Sequence, residues 1–285
     1  MFVRHVALVS EEIDLSELTK VASALQVQAA RDFSPIWGIG ATLSVFEHMA
    51  DVAIGHWPIW VKKSINDPGD LGYHTDRRHQ PYALVLYTDG WSITASHEML
   101  EMLADPFGNR LVAGPSIRPS DKAGRVEYLV EVCDPCEDSR FAYSVNGVMV
   151  SDFITPHFHD PDESHGARYS FTGAVKAPRQ VLVGGYISFN DPLDGRIWMA
   201  MNNGGPTLQF QNLGPASAML SLREQTHAYA RALGLPVEDP AKSYHPGDAN
   251  VKAMKARRSG ADKASDYAAQ RFMAQVGYGR SKRRR

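Results

Sequence analysis

Cysteine is scarce in this chain of 285 residues, which contains only Cys133 and Cys136. Two cysteines cannot form the disulfide framework that stabilises small secreted domains, so the fold must depend on a hydrophobic core. The chain also lacks any apolar run approaching the 18 residues of a membrane span, and its first 30 residues lack the basic start, apolar stretch and cleavage site of a secretory signal. We therefore expect a cytoplasmic protein that does not associate with membranes.

Charge is distributed unevenly along the chain. The overall formal charge is only −2, but residues 251–285 contain eleven basic and two acidic residues, which leaves this segment at +9 and the rest of the chain at −11. Hydrophobic residues make up 44% of the chain, a typical value for a globular protein with a sizeable core. The C-terminal tail could bind nucleic acid or another acidic surface without sequence specificity, or could be a solvated end.

The apolar pattern of the first 105 residues predicts the order strand, helix, three strands, helix. Asp14 followed by Glu17 is typical of a capping box at the start of the first helix. Pro106 predicts that the second helix, which begins near residue 91, ends by residue 105. The predicted strands are residues 3–9, 39–46, 57–65 and 82–87.

The second half of the chain has a mainly β pattern. Asn146-Gly147 lies between β-forming residues and predicts a hairpin over residues 142–151. Further strands are predicted at residues 126–132, 169–175 and 180–189, and a helix at 213–233. The glycine pairs at 184–185 and 204–205 lack the context of a nucleotide-binding loop and indicate turns or bulges. From residue 240 onward we expect a weakly ordered tail with a transient helix near residues 261–276.

The second predicted helix carries the pattern His97-Glu98-x-x-Glu101. Residues four apart lie on the same helix face, so the His97 imidazole and the Glu101 carboxylate could bind one metal ion. Glu98 is offset by about 100° around the helix, which suits it to accept a proton from a metal-bound water rather than to bind the metal. Such a site hydrolyses amides.

The pattern also occurs by chance in many helices, where Glu98 and Glu101 would be solvated surface charges. The surrounding helix is mostly apolar, however. Burying two carboxylates beside an imidazole is costly without a cation, so the context favours a metal site.

The motif resembles the zincin metallopeptidase superfamily, in particular a branch in which HExxE replaces HExxH. In that branch the helix continues into a turn such as Ala104-Asp105-Pro106, and a downstream segment has the pattern of residues 131–136, Glu-Val-Cys-Asp-Pro-Cys. The resemblance covers residues 1–155 and implies an α+β zincin-like domain with the metal motif on its second helix. It would be followed by a β-rich extension with one helix at residues 156–239 and by the basic tail at 240–285.

Three-histidine zincins have the pattern HExxHxxGxxH, from which this chain departs. It has Glu101 at the second histidine position, Ala104 at the glycine position and Phe107 at the third histidine position. A third ligand must come from elsewhere. The resemblance makes Glu131 the first choice, with Asp134 second and Asp105 third. Asp105 could instead cap a turn, and Asp134 could belong to an Asp-Pro turn. A site with one histidine and two carboxylates could hold Zn²⁺, Mn²⁺ or Ca²⁺.

Weaker signals lie outside this motif. His157 and His159 could share one face of an extended segment as further ligands or substrate contacts, or be polar loop residues. His74 precedes a predicted strand at a position that the resemblance places at the cleft edge, although a surface loop is its simpler role. Cys133 and Cys136 form a CxxC spacing found in redox and zinc sites, but no second pair completes a zinc site.

The sequence thus predicts a metal-dependent peptidase, with a peptide or protein as its substrate. In this hypothesis His97 and Glu101 bind the metal, a carboxylate from Glu131 or Asp134 completes the site, and Glu98 is the general base. The alternative is an inactive protein with a zincin-like fold that joins a larger assembly through its basic tail. The sequence does not indicate an oligomeric state.

Overall fold

The computed structural model describes residues 2–65, 71–120 and 124–233. These residues form an α+β fold, the class that the sequence predicts, with two five-stranded sheets and one short hairpin. The expected tail from residue 240 and its transient helix at 261–276 lie outside the described residues. Within the described part of the chain, no helix has the length and apolar character needed to cross a membrane.

The helices and strands are defined as follows. The helices are α1 (Leu15–Val27), α2 (Ser34–Trp37), α3 (Trp91–Ala104) and α4 (Leu222–Ala232). The strands of the first sheet are β1 (Phe2–Val9), β2 (Ile39–Phe46), β3 (His56–Lys62), β4 (Gly72–Arg77) and β5 (Gln80–Leu86). Those of the second sheet are β6 (Leu111–Pro115), β7 (Arg125–Leu129), β10 (Tyr186–Asp191), β11 (Arg196–Met201) and β12 (Gln209–Pro215), and the hairpin consists of β8 (Tyr143–Val145) and β9 (Val148–Val150).

The first sheet has the strand order β2-β1-β3-β5-β4. Its first four strands are parallel, and β4 pairs antiparallel with β5 at one edge. The second half of β1, from Val6 to Val9, is fully buried, as expected for a parallel strand covered on both faces. The sequence pattern did not predict β4, because residues 72–77 are mostly polar and become a strand through their pairing with β5.

Helix α1 begins where the sequence predicts, since the Asp14 side chain accepts a hydrogen bond from the Ser16 backbone N–H. The predicted capping box is wrong, however, because the Glu17 carboxylate accepts instead from Trp91 Nε1 at 2.9 Å. This bond connects α1 to the start of α3. A second connection lies in the π-helical continuation of α1, where the Gln28 side chain accepts from Ser96 Oγ at 2.7 Å. Helix α3 is therefore fixed in position at both its first turn and its middle.

The second sheet is antiparallel, with the order β12-β11-β10-β7-β6. It joins strands on both sides of residue 155, and one continuous hydrophobic core extends from the first sheet into β7 and β10. The predicted hairpin is confirmed as β8 and β9, with Asn146 and Gly147 both at positive φ in the turn.

Several expectations for the second half are wrong. Residues 169–175 form no extended strand and contribute only a bridge between Ser170 and Ile154. The predicted helix at 213–233 begins only at Leu222, because residues 209–215 form β12. Ser221 and Glu224 form a capping box there, a start signal that is visible in the sequence. Strands β6, β11 and β12 were not predicted.

Candidate metal centre

Helix α3 is buried along almost its whole length, including its polar residues. His97, Glu98 and Glu101 are 5%, 4% and 0% exposed. The interpretation of Glu98 and Glu101 as solvated surface charges is therefore wrong. Buried ionisable groups need partners, so the surrounding residues decide what this cluster can do.

Two carboxylate oxygens lie close to the His97 imidazole. His97 Nε2 lies 3.2 Å from Glu101 Oε2 and 3.3 Å from Asp134 Oδ1. Ligands about 2.0–2.1 Å from a tetrahedral metal ion are separated by roughly 3.3–3.4 Å, so both distances fit one ion between these atoms. Each carboxylate oxygen therefore has ligand spacing from His97, while Glu101 and Asp134 belong to two different groups of mutually close ligand atoms that share His97.

The Glu101 carboxylate is oriented by backbone groups. Its Oε1 accepts hydrogen bonds from the backbone N–H groups of Cys133 at 3.0 Å and Asp134 at 3.3 Å. Its Oε2 is buried and has no hydrogen-bond partner among the described residues. The backbone thus holds one oxygen and leaves the other directed at the imidazole of His97, which is the arrangement of an oriented metal ligand.

Burial and the charges of neighbouring side chains shift the pKa values of His97 and Asp134. Burial alone would lower the pKa of His97, but the negative Glu101 and the contact with Asp134 outweigh it and hold this pKa well above its usual value. Burial and the negative Glu101 raise the pKa of Asp134 to about 7. Without a metal ion, protons therefore neutralise part of the cluster, and a bound cation would displace them.

His74 and Glu98 form the other half of the cluster. His74 lies on β4 and is buried, so its expected role as a surface-loop residue is wrong. Its Nδ1 lies 3.3 Å from Glu98 Oε2, and its Nε2 lies 3.2 Å from the backbone carbonyl oxygen of Asp105. The Asp105 carboxylate accepts from the backbone N–H groups of Asn109 and Arg110, which is the turn-capping alternative considered for this residue.

Arg223, at the start of α4, reaches into the same cluster and was not predicted. Its Nη1 lies 3.1 Å from Glu131 Oε2 and 3.6 Å from Glu101 Oε2, and its Nη2 lies 3.5 Å from Glu98 Oε2. The guanidinium also contacts the His74 ring. The sequence contains one signal for Arg223. A positive charge in the first turn of a helix interacts unfavourably with the helix dipole, so an arginine at this position suggests a role outside the helix.

No family model matches this chain, and no match was found among curated proteins or solved structures. The site must therefore be interpreted from its own geometry.

The two other candidate histidines lie in a short 3₁₀ turn at Pro156–His159 and not in the extended segment that was expected. His157 is half-buried and its Nδ1 lies 2.7 Å from Asp160 Oδ2. His159 is buried between aromatic rings, those of Tyr128 and Phe158. Neither belongs to the groups of converging ligand atoms among the described residues.

Among the described residues, three overlapping groups of side chains have ligand atoms close enough to hold one ion. They are His97, Glu101 and Cys133; His97, Asp134 and Glu137; and His74, Glu98 and Glu101. Cys133 and Cys136 are both free thiols, and burial raises the pKa of each well above its usual value. This argues against a reactive redox pair, because the thiolate is the nucleophile in such chemistry.

Proposed function

We propose that the protein is a zincin-like, metal-dependent peptidase in which His97, Glu101 and Asp134 hold a divalent metal ion. The observation that carries this proposal is the buried Oε2 of Glu101, which accepts no hydrogen bond among the described residues and lies 3.2 Å from His97 Nε2. Asp134, the second choice from the sequence, lies beside His97, whereas Glu131, the first choice, contacts Arg223. When bound, the metal would act as a Lewis acid that lowers the pKa of a water molecule.

Glu98 is the general base in this proposal. It follows His97 directly on α3, and its carboxylate lies within 4.8 Å of Glu101. His74 and Arg223 contact its Oε2 and so fix the direction of the carboxylate. A carboxylate held in this way can accept a proton from the attacking water and pass it to the leaving amine.

The surface beside β4 suits a peptide substrate. β4 is an edge strand, and an extended peptide can pair with such an edge as an additional strand. A pocket of about 230 Å³ lies next to it, with Tyr73, His74 and Thr75 on one side and Arg223 and His227 among the residues from α4. His74 and Arg223 belong to both the pocket and the buried cluster, so the pocket leads toward the proposed metal site.

We propose Zn²⁺ as the metal, with Mn²⁺ and Ca²⁺ as competitors. His97 and Cys133 are ligand types that favour Zn²⁺, whereas the several carboxylates favour the harder ions. A highly anionic ligand set makes the bound metal a weaker Lewis acid, so we expect slow hydrolysis.

Arg223 supports a second candidate, an inactive zincin-like protein with a structural or binding role. The guanidinium contacts three carboxylates and neutralises part of the cluster without a metal ion. In this candidate the basic tail, which lies outside the described residues, would attach the protein to a larger assembly.

A pair of isosteric substitutions distinguishes the two candidates. Glu98→Gln leaves His97, Glu101 and Asp134 intact, so metal content should persist while cleavage of a mixed peptide library falls by about 10² to 10⁴-fold. Glu101→Gln should lose metal and activity together, because a neutral amide is a poor ligand. Metal per chain is measured by elemental analysis alongside cleavage.

Glu11→Gln is the matched control, because the Glu11 side chain is half-exposed and lies outside the cluster. It should retain wild-type metal content and activity. If the wild-type protein binds metal but cleaves no peptide, or if Glu98→Gln cleaves as well as wild type, the inactive candidate replaces the peptidase.

A further inference from the structure

The buried cluster contains a second set of converging ligand atoms, beside the set at His97. His74, Glu98 and Glu101 each direct one ligand atom to a common region, with all three atoms within 4.8 Å of one another. Glu101 Oε2 belongs to both sets, because it lies 3.2 Å from His97 Nε2 and 3.8 Å from His74 Nδ1. A single carboxylate is thus placed to serve two neighbouring cations.

Both ring nitrogens of His74 face oxygen atoms that can only accept a hydrogen bond. Nε2 faces the backbone carbonyl oxygen of Asp105 and Nδ1 faces the Glu98 carboxylate, and because both oxygens only accept, a neutral ring can donate to one of them. In the tautomer that donates to Asp105, Nδ1 presents a lone pair toward the Glu98 carboxylate at 3.3 Å. Two acceptors at this distance repel each other unless a cation or donor lies between them. A histidine that donates one N–H to a carbonyl and presents the other nitrogen is also the usual form of a metal ligand.

In the structure the cation at this position is the guanidinium of Arg223. Its Nη1 contacts the His74 ring and Glu131, while its Nη2 lies near Glu98. The guanidinium does not satisfy the whole cluster, because Glu101 Oε2 and Glu131 Oε1 remain buried without hydrogen-bond partners among the described residues. A more compact and more highly charged cation would compensate the negative charge of these buried carboxylates better.

We propose that His74, Glu98 and Glu101 form a second divalent-metal site next to the His97 site, and that Arg223 holds this second site until an ion displaces it. The inference rests on the proposed metal at His97 only through the shared ligand Glu101. It has a functional consequence, because an ion at the second site would bind Glu98 and prevent it from acting as the general base. The second ion would therefore inhibit the proposed peptidase.

The test counts Mn²⁺ ions bound to the full-length chain, after treatment with a chelator, by calorimetric titration and by electron paramagnetic resonance. Wild type should bind one ion tightly and a second ion more weakly, because the second must displace Arg223. Arg223→Met removes the guanidinium while keeping an extended side chain, so the second ion should bind about tenfold more tightly or better. His74→Gln should bind one ion only. Two ions sharing Glu101 should also give a spin-coupled Mn²⁺ spectrum in place of the spectrum of isolated ions.

Arg231→Met is the matched control, because Arg231 is exposed and lies eight residues, or about 12 Å, further along the same helix, where it lines the outer pocket. It should leave the second-ion affinity as in wild type. If Arg223→Met fails to fold, as judged by circular dichroism, Arg223→Gln and His74→Gln provide the same comparison. A single ion in the Arg223 variants, or a second ion that persists in His74→Gln, overturns the second site.

The outcomes also separate this inference from the proposed function. One ion that is lost in His97→Ala and unaffected by substitution of His74 would leave the peptidase proposal standing and remove the second site. No bound ion in wild type or in any Arg223 variant would overturn both. An activity that rises with the first Mn²⁺ equivalent and falls with the second, and that no longer falls in His74→Gln, would support the inference.

Discussion

The buried cluster contains more carboxylates than positively charged side chains. Four carboxylates, those of Glu98, Glu101, Glu131 and Asp134, are less than 8% exposed, and the described positive partners are Arg223 and His97. Charges removed from water to this extent cost several kcal/mol each unless they are paired. Burial raises the pKa of Glu131 well above its usual value, although the positive Arg223 opposes this shift. The cluster therefore tolerates negative charge only with protons, the guanidinium or a metal ion present.

His159 gives a prediction about acid stability. Burial, together with the nearby Arg179 and Arg110, lowers the pKa of His159 from 6.5 to about 4. Between these pH values the unfolded chain binds a proton at His159 and the folded chain does not, so folding stability should fall as the pH is lowered from about 6.5 to 4. The full effect of this one group is at most ~3 kcal/mol.

His159→Phe removes this titration while keeping a ring of similar size. Urea unfolding at several pH values should show a smaller loss of stability on acidification than in wild type. The control His165→Gln, at an exposed position, should keep the wild-type pH dependence. An equal slope in wild type and His159→Phe would contradict the assignment.

The elements of the fold act on the site through close backbone contacts. At Gly108, a Cβ atom would lie 2.6 Å from Cβ of Arg223, so a glycine at this position lets α4 approach the loop after α3. At Gly185, a Cβ atom would lie 2.6 Å from the carbonyl oxygen of Asp134 and 2.7 Å from that of Pro135. The segment before β10 thus packs directly against the backbone that carries the proposed ligand Asp134.

Gly185→Ala should therefore destabilise the fold and weaken metal binding. The added methyl group meets backbone atoms, which cannot move aside as a flexible side chain can, so we expect a loss of about 1–3 kcal/mol in unfolding free energy. The control is Gly205→Ala, at an exposed glycine whose nearest atom to an added Cβ is 3.9 Å away. Thermal unfolding and Zn²⁺ titration of both variants provide the measurement. A wild-type metal affinity in Gly185→Ala would show that this packing does not position Asp134.

For the whole molecule, the sequence predicts two parts of opposite charge. The +9 charge of residues 251–285 should give salt-sensitive binding to polyanions, with affinity falling steeply from low to moderate salt as counterions are released. Deleting these residues should abolish binding to a fluorescent oligonucleotide and leave the thermal midpoint nearly unchanged. A large fall in the midpoint, or binding that survives the deletion, would contradict the prediction.

Local sequence information determined the features that depend on neighbouring residues. The spacing of His97 and Glu101 placed both on one face of α3, and Pro106 placed the end of that helix, because helix periodicity and proline geometry act over only a few residues. The hairpin at Asn146 and Gly147 was predicted for the same reason. The α+β class also followed from such patterns.

Only the tertiary structure decided which distant residues complete the cluster. Arg223 meets His74 across 149 residues of chain and Glu131 across 92, and no local pattern specifies pairs at such separations. His74 became buried because β4 pairs with β5, although its segment is too polar to indicate a strand. The sequence ranked Glu131 before Asp134, but Asp134 is the neighbour of His97 because of how the segment after β7 packs against α3.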